Sequence, residues 1–221
     1  MDILWDWNGT LLDDSAACVE ALCEILSRRN LPPVTLERYR RDFSFPARDF
    51  YARIGIELEK EDWDSLAGEY HESYLKRSAP LAPDARAALE NAEKQGFGQY
   101  ILSAMRADFL EKAVAQHGIS QYFRRICGTD NLDGGSKASV AASMAEEIDV
   151  SRAVVVGDSL HDLEVARLIG AACILYSGGS HAPERLRGHG VPVVDTLCET
   201  VRLASILAAS PKCGNFYDFS Y

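Results

Sequence analysis

The sequence predicts an α/β protein: a doubly wound parallel sheet with a helical block inserted after its first strand. Three observations carry this. Beyond residue 97, short β-branched or apolar runs alternate with helical periods, the pattern of parallel strands joined by crossover helices. Residues 14–80 hold helical patterning and no strand signal. The chain itself opens on an apolar run, Ile3-Leu4-Trp5, that closes on Asp6.

The elements follow in order. After the first strand, Ala17, Val19, Leu22, Ile25 and Leu26 recur at three- and four-residue spacings, so residues 14–30 read as a helix. Asp14 or Ser15 is its expected cap. Leu31-Pro32-Pro33 stops it. From Thr35 to Ser78 the pattern stays helical and polar, broken near Ser44-Phe45-Pro46 and Gly55, which makes a block of four helices. Pro80 and Pro83 mark the return to the sheet, and helix 84–95 ends at Gly96. Strands are then expected at 99–103, 125–127, 153–156, 173–176 and 191–194. Between and after them come helices at 106–117, 136–147, 162–169 and 197–208. Ala153-Val154-Val155-Val156 suits a strand buried on both faces. The aromatic tail from Ser210 (Phe216, Tyr217, Phe219, Tyr221) shows no period.

At 221 residues the chain suits one such domain with an insertion. A formal net charge of −10 argues against broad nucleic-acid binding, which needs clustered Lys and Arg, though not against a small anion in a local positive pocket. The six cysteines form no Cys-x-x-Cys pair and lie within apolar patterns, which fits a reducing compartment. No run approaches the ~20 apolar residues of a membrane span. A cytoplasmic protein, acting as monomer or small homo-oligomer on a small molecule, is expected.

Candidate chemistry gathers at strand ends. In Asp6-Trp7-Asn8-Gly9-Thr10, Asp6 stands just past a strand, where α/β proteins bind ligands. It reads as a metal ligand, a nucleophile or a helix cap. Ser103 ends the next strand, Lys137 follows Gly134-Gly135-Ser136 at a helix start, and Gly157-Asp158-Ser159-Leu160-His161-Asp162 leaves the Val-rich strand.

Together these four segments resemble the motifs of the haloacid dehalogenase-like superfamily, in order, over residues 2 to about 200. Within it the chain looks most like the phosphoglycolate-phosphatase-type branch. The resemblance implies a Rossmann-like catalytic core of residues 1–13 and 81–221 and a helical cap of residues 14–80. It also implies a phosphate monoester hydrolysed through an aspartyl-phosphate on Asp6. Mg²⁺ would be held by Asp6, Asp158 and the backbone carbonyl of Asn8, with Asp162 orienting Asp158 or a metal-bound water. Ser103, the Ala104 amide and Lys137 would hold the phosphoryl oxygens, with the N–H groups of Trp7, Asn8 and Gly9 completing the cradle.

One position departs. The family's phosphatases read D-x-D-G-T, whose second acid protonates the leaving alkoxide, and here that residue is Asn8. General acid–base help of this kind is worth roughly 10²–10⁴-fold. The resemblance therefore leaves a slow phosphatase, one that prefers good leaving groups, or one that recruits another group such as His161 or His181. A protein that binds phosphate esters without turnover is an alternative. So is a phosphonate hydrolase, whose Schiff-base lysine would have to be Lys60 or Lys76. Within the cap, Phe45 and Arg48 resemble the loop this branch points at its substrate, where Arg48 would pair with a second anionic group. Arg106 is a weaker candidate.

Overall fold

The computed structural model describes residues 1–130 and 137–209. The tail aromatics and the glycines before Lys137 lie outside the described residues. Six parallel strands, β1 (Asp2–Trp5), β2 (Gly98–Arg106), β3 (Arg125–Thr129), β4 (Ala153–Gly157), β5 (Ala172–Tyr176) and β6 (Val193–Val194), form one sheet in the order β3-β2-β1-β4-β5-β6. The central strand β1 has β2 on one side and β4 on the other, each in parallel register. The strand order therefore reverses at β1, the switch point where such sheets open a crevice at their C-terminal edge. β2 runs three residues further than expected, with a register irregularity between Leu102 and Arg106. The strand expected at 191–194 is reduced to Val193–Val194.

Helices cover both faces. α5 (Ala85–Lys94), α6 (Ala107–Gln116) and α10 (Leu197–Ala209) pack with Ile3, Trp5, Ile101 and Ile174 on one side. α7 (Lys137–Ala145), α8 (Leu160–Ile169) and the short α9 (Pro183–Leu186), which the sequence pattern did not show, pack with Leu4, Leu102 and Val155 on the other. The buried Trp5 indole donates to Gln99 Oε1 at 3.0 Å, so the core leaves this polar group satisfied.

The four-helix block forms as α1 (Ser15–Arg28), α2 (Leu36–Asp42), α3 (Ala47–Arg53) and α4 (Trp63–Leu75), around a hydrophobic cluster of its own. Thr35 caps α2 and Asp62 caps α4 by accepting backbone N–H bonds. Its two connections to the sheet run side by side, Asp13 N–H donating to Pro80 O and Ala82 N–H to Leu11 O, both at 2.9 Å. Among the described residues no helix is long and apolar enough to cross a membrane, and the five described cysteines are all free.

Candidate active site

Parallel register sets the first two acids. Trp5 stands opposite Val156, and Asp6 N–H donates to Val156 O at 2.8 Å, so Asp6 and Asp158 leave neighbouring strands at the same edge. Asp158 is pinned by Ser180, whose N–H and hydroxyl both donate to Oδ2, and by the Thr10 hydroxyl at 3.1 Å from Oδ1. Gly9 has φ +78° and a Cβ there would fall 2.4 Å from Asp158 Oδ2, so the turn after β1 requires glycine.

Lys137, the first residue of α7, lies with its side chain 4% exposed and its Nζ 2.6 Å from Asp6 Oδ1, also donating to Asp162 Oδ1. Asp162 Oδ2 accepts the N–H and the hydroxyl of Ser159, so both its oxygens are engaged. Asp162 thereby orients Lys137 and the α8 N-terminus. The carboxylates of Asp6, Asp158 and Asp162 approach within 4.8 Å of one another.

Of the three buried acids, Asp6 and Asp162 share one ammonium. Burial pushes Asp6 well above the ordinary carboxylate range, although Lys137 pulls against it. Burial and the Asp162 charge push Asp158 up to about 6. Burial also acts on Asp162, but Lys137 and Ser159 outweigh it and hold this acid low. Burial opposes the charge of Lys137 in turn, and Asp162 and Asp6 outweigh it, holding the ammonium above the ordinary lysine range. The surplus of negative charge on hard oxygen donors suits a divalent cation such as Mg²⁺.

Asp6, Asn8, Gly9, Ser103, Ala104, Lys137, Asp158 and Asp162 all line one cavity of about 170 Å³. Ser103 is buried and its hydroxyl accepts the Met105 N–H at 3.1 Å. Trp7, expected to lend its N–H to the phosphate cradle, is fully buried, meets His117 edge-on and does not line the cavity.

Four expectations are corrected. The Gly9 N–H donates to Asp14 Oδ1 at 2.8 Å and to Leu12 O at 2.9 Å, so it is not a free donor for a phosphoryl oxygen. Arg48 is exposed and its guanidinium sits over Trp63, 5.6 Å from the ring centroid; it does not line the cavity, whereas Phe45 does. Arg106 pairs with Asp108 outside the cavity. His181 points its Nδ1 at the Leu160 N–H, and burial drives its pKa down to about 4. His161 does line the cavity, its ring tilted against Phe45 with centroids 4.9 Å apart.

The His181 geometry makes a stability prediction. A histidine near pKa 6.5 when unfolded and about 4 when folded binds its proton more readily unfolded. Stability is then full above pH 6.5 and falls as pH drops toward 4, by up to about 3 kcal/mol. His181→Asn, whose amide oxygen still accepts the Leu160 N–H, is expected to remove that part of the acid loss. Urea titrations between pH 7 and 4 read it, and parallel curves for the two proteins count against it.

Asp14 is the residue that sequence reasoning missed. Although it occupies the N-cap position of α1, its side chain makes no cap bond. Instead Asn8 Nδ2 donates to Asp14 Oδ2 at 2.7 Å and to the Tyr74 hydroxyl at 2.9 Å, while that hydroxyl donates to Asp14 Oδ2 at 2.7 Å. Burial raises the Asp14 pKa against four hydrogen bonds that lower it. Ser180 was missed too, although Gly178-Gly179 directly after β5 was a legible signal: a Cβ on Gly179 would meet Asp158 at 2.3 Å.

The haloacid dehalogenase-like hydrolase family model matches residues 3–176. A phosphoglycolate phosphatase from Caulobacter vibrioides is 29% identical over 190 residues, covering 80% of this chain and 79% of that protein. An N-acetylmuramic acid 6-phosphate phosphatase from Pseudomonas aeruginosa is 26% identical, covering 85% and 86%. The crystal structure of a predicted phosphatase from Clostridium acetobutylicum superposes with a TM-score of 0.75 at 20% identity, covering 93% of this chain and 97% of that one. With the family model matching residues 3–176, most of the chain, this protein is a member of the haloacid dehalogenase-like hydrolases.

Proposed function

We propose that the protein is a Mg²⁺-dependent phosphatase that hydrolyses a small phosphate monoester through a phosphoryl group carried on Asp6. The observation that supports it best is the buried Asp6 carboxylate, 2.6 Å from Lys137 and clustered with Asp158 at the switch point of the sheet. Asp6 attacks phosphorus, the bond to the leaving oxygen breaks with its electron pair, and water then displaces phosphate and restores the carboxylate. Lys137 and the Ser103 hydroxyl stabilise charge on the phosphoryl oxygens. Mg²⁺, held by Asp6, Asp158 and the Asn8 carbonyl, would neutralise the repulsion between carboxylate and phosphate. We assign residues 14–80 to a cap that excludes water from this step and residues 1–13 and 81–221 to the catalytic core.

Phosphonate chemistry is disfavoured. Lys60 pairs with Glu57 and Lys76 with Glu72, both exposed, and neither lines the cavity. The binding-only reading keeps one supporting observation, that the Asn8 amide is committed to Asp14 and Tyr74.

The test is phosphate release from p-nitrophenyl phosphate with Mg²⁺ or with excess chelator, followed by acid quench and mass spectrometry. Chelation is expected to abolish release, and the quenched protein to carry its phosphoryl group on Asp6. A phosphoryl group on another residue overturns the nucleophile. Full turnover in chelator overturns the metal, and no release at all favours the binding-only reading.

A further inference from the structure

The cap presents an aromatic wall to the phosphoryl site. Phe45, Tyr39, Tyr51, Trp63, Tyr70 and Tyr74 all line the cavity beside Asp6 and Lys137. They are packed on one another rather than scattered: Tyr51 lies 5.7 Å from Trp63 and 6.4 Å from Tyr70, and Tyr70 stacks on Tyr74 at 6.0 Å. Phe45 closes the row onto His161 of the core. Rings held this way are a rigid surface on which another ring packs edge-on or offset.

The charge in this pocket has the wrong sign for an acidic substrate tail. Among the described lining residues Lys137 is the only lysine or arginine, and Asp6 and Asp162 already claim it. Arg48 is turned out over Trp63, Arg40 donates to Gly178 O, and Arg185 donates to the carbonyls of Arg40 and Phe43. On the cap side the ionisable acid that lines the cavity is Asp14, which offers a substrate carboxylate no positive partner. His71 and His161 also face the cavity.

Asn8 adds an independent constraint. Both N–H bonds of its amide are spent on Asp14 and Tyr74, so it has no proton to give a departing alkoxide. A leaving group that departs as a stable anion needs none.

From the wall, the missing cation and the missing acid we infer that the substrate is a phosphate monoester of a phenol-like hydroxyl, its ring seated among Tyr51, Trp63 and Tyr70. This rests on the phosphatase reading above and names its substrate class.

Four esters at pH 8 with Mg²⁺ separate the parts. Acetyl phosphate, small and with a good leaving group, reports the phosphoryl site alone. Benzyl phosphate and phosphoglycolate both release an alkoxide and differ in their tails, so kcat/KM for benzyl phosphate is expected to be at least about tenfold higher. Phenyl and benzyl phosphate share a ring and differ in the leaving oxygen, so phenyl is expected to lead by about 10²-fold or more. Trp63→Ala is expected to lower the phenyl-to-acetyl ratio about tenfold, with Trp63→Phe recovering most of it. Phosphoglycolate equal to or better than benzyl phosphate overturns the aromatic pocket while the phosphatase reading stands. Benzyl equal to phenyl overturns the phenolic leaving group. If acetyl phosphate is not hydrolysed either, the phosphatase reading fails and this inference falls with it.

Discussion

Replacing Lys137 with methionine is expected to cost about 3–5 kcal/mol of folding stability and to lower phosphate release by about 10²–10³-fold. The stability loss follows from burial. Asp6, Asp158 and Asp162 are each at most 7% exposed, and among the described residues Lys137 is the ammonium that pairs with two of them, Asp6 and Asp162. Methionine fills similar volume but leaves two acids without their cation. The rate loss follows from the loss of a fixed positive charge beside the Asp6 oxygens. A second substitution distinguishes this from a packing defect. Lys137→Met with Asp6→Asn removes one of the stranded charges and is expected to regain part of the stability. Urea unfolding of wild type, Lys137→Met, Asp6→Asn and the double variant reads the coupling. A single variant within about 0.5 kcal/mol of wild type shows that the ion pairs are not what holds the site together.

The second large effect concerns Asn8. Restoring the family's acid by Asn8→Asp alone is expected to fail as a simple rescue, because position 8 lies against another carboxyl. The Asn8 Nδ2 is 2.7 Å from Asp14 Oδ2, so an aspartate there places two carboxylates in contact. Such a pair shares one proton, with one pKa strongly raised, and the shared proton is held between the acids instead of facing the leaving oxygen. The exchange Asn8→Asp with Asp14→Asn keeps an amide–carboxyl bond and moves the acid to the side of the phosphoryl group. It is expected to raise turnover of an alkyl phosphate by about 10²–10⁴-fold over wild type and to leave aryl phosphates nearly unchanged. Rates for ethyl and phenyl phosphate in wild type, single and double variants decide it. If the single variant matches the double one, Asp14 does not restrain position 8.

That pairing marks the boundary of what local sequence carries. Asp6, Ser103 and Asp158 could be placed from the chain because each follows an apolar run, and a parallel sheet brings the ends of its strands to one edge whatever the loops do. The class of fold and the helical block were legible for the same reason: period and punctuation are local properties. Lys137 was placed at a helix start, and its burial between two acids was beyond reach of the pattern, since a lone lysine is ordinarily solvated. Asp14 looked like a helix cap because residue type and position allow that; its actual partner Tyr74 is sixty residues away on α4. Arg48 looked like an anion-binding residue on a loop, and α3 turned it outward over Trp63.

The sequence by itself determined the order of the strands' chemistry: an acid, a hydroxyl, a cation and a second acid at successive strand and helix ends. Tertiary structure alone decided which donors were left free, because hydrogen-bond partners are fixed only when the helices of residues 14–80 dock on the sheet. Docking commits the Asn8 amide to Asp14, commits the Gly9 N–H to the same carboxyl, and lines the pocket with tyrosines dispersed over three helices. The Asp14 contacts to Asn8 and Gly9 span six and five residues, but the Tyr74 hydroxyl that completes them comes from sixty residues away, a separation that carries no periodic signal.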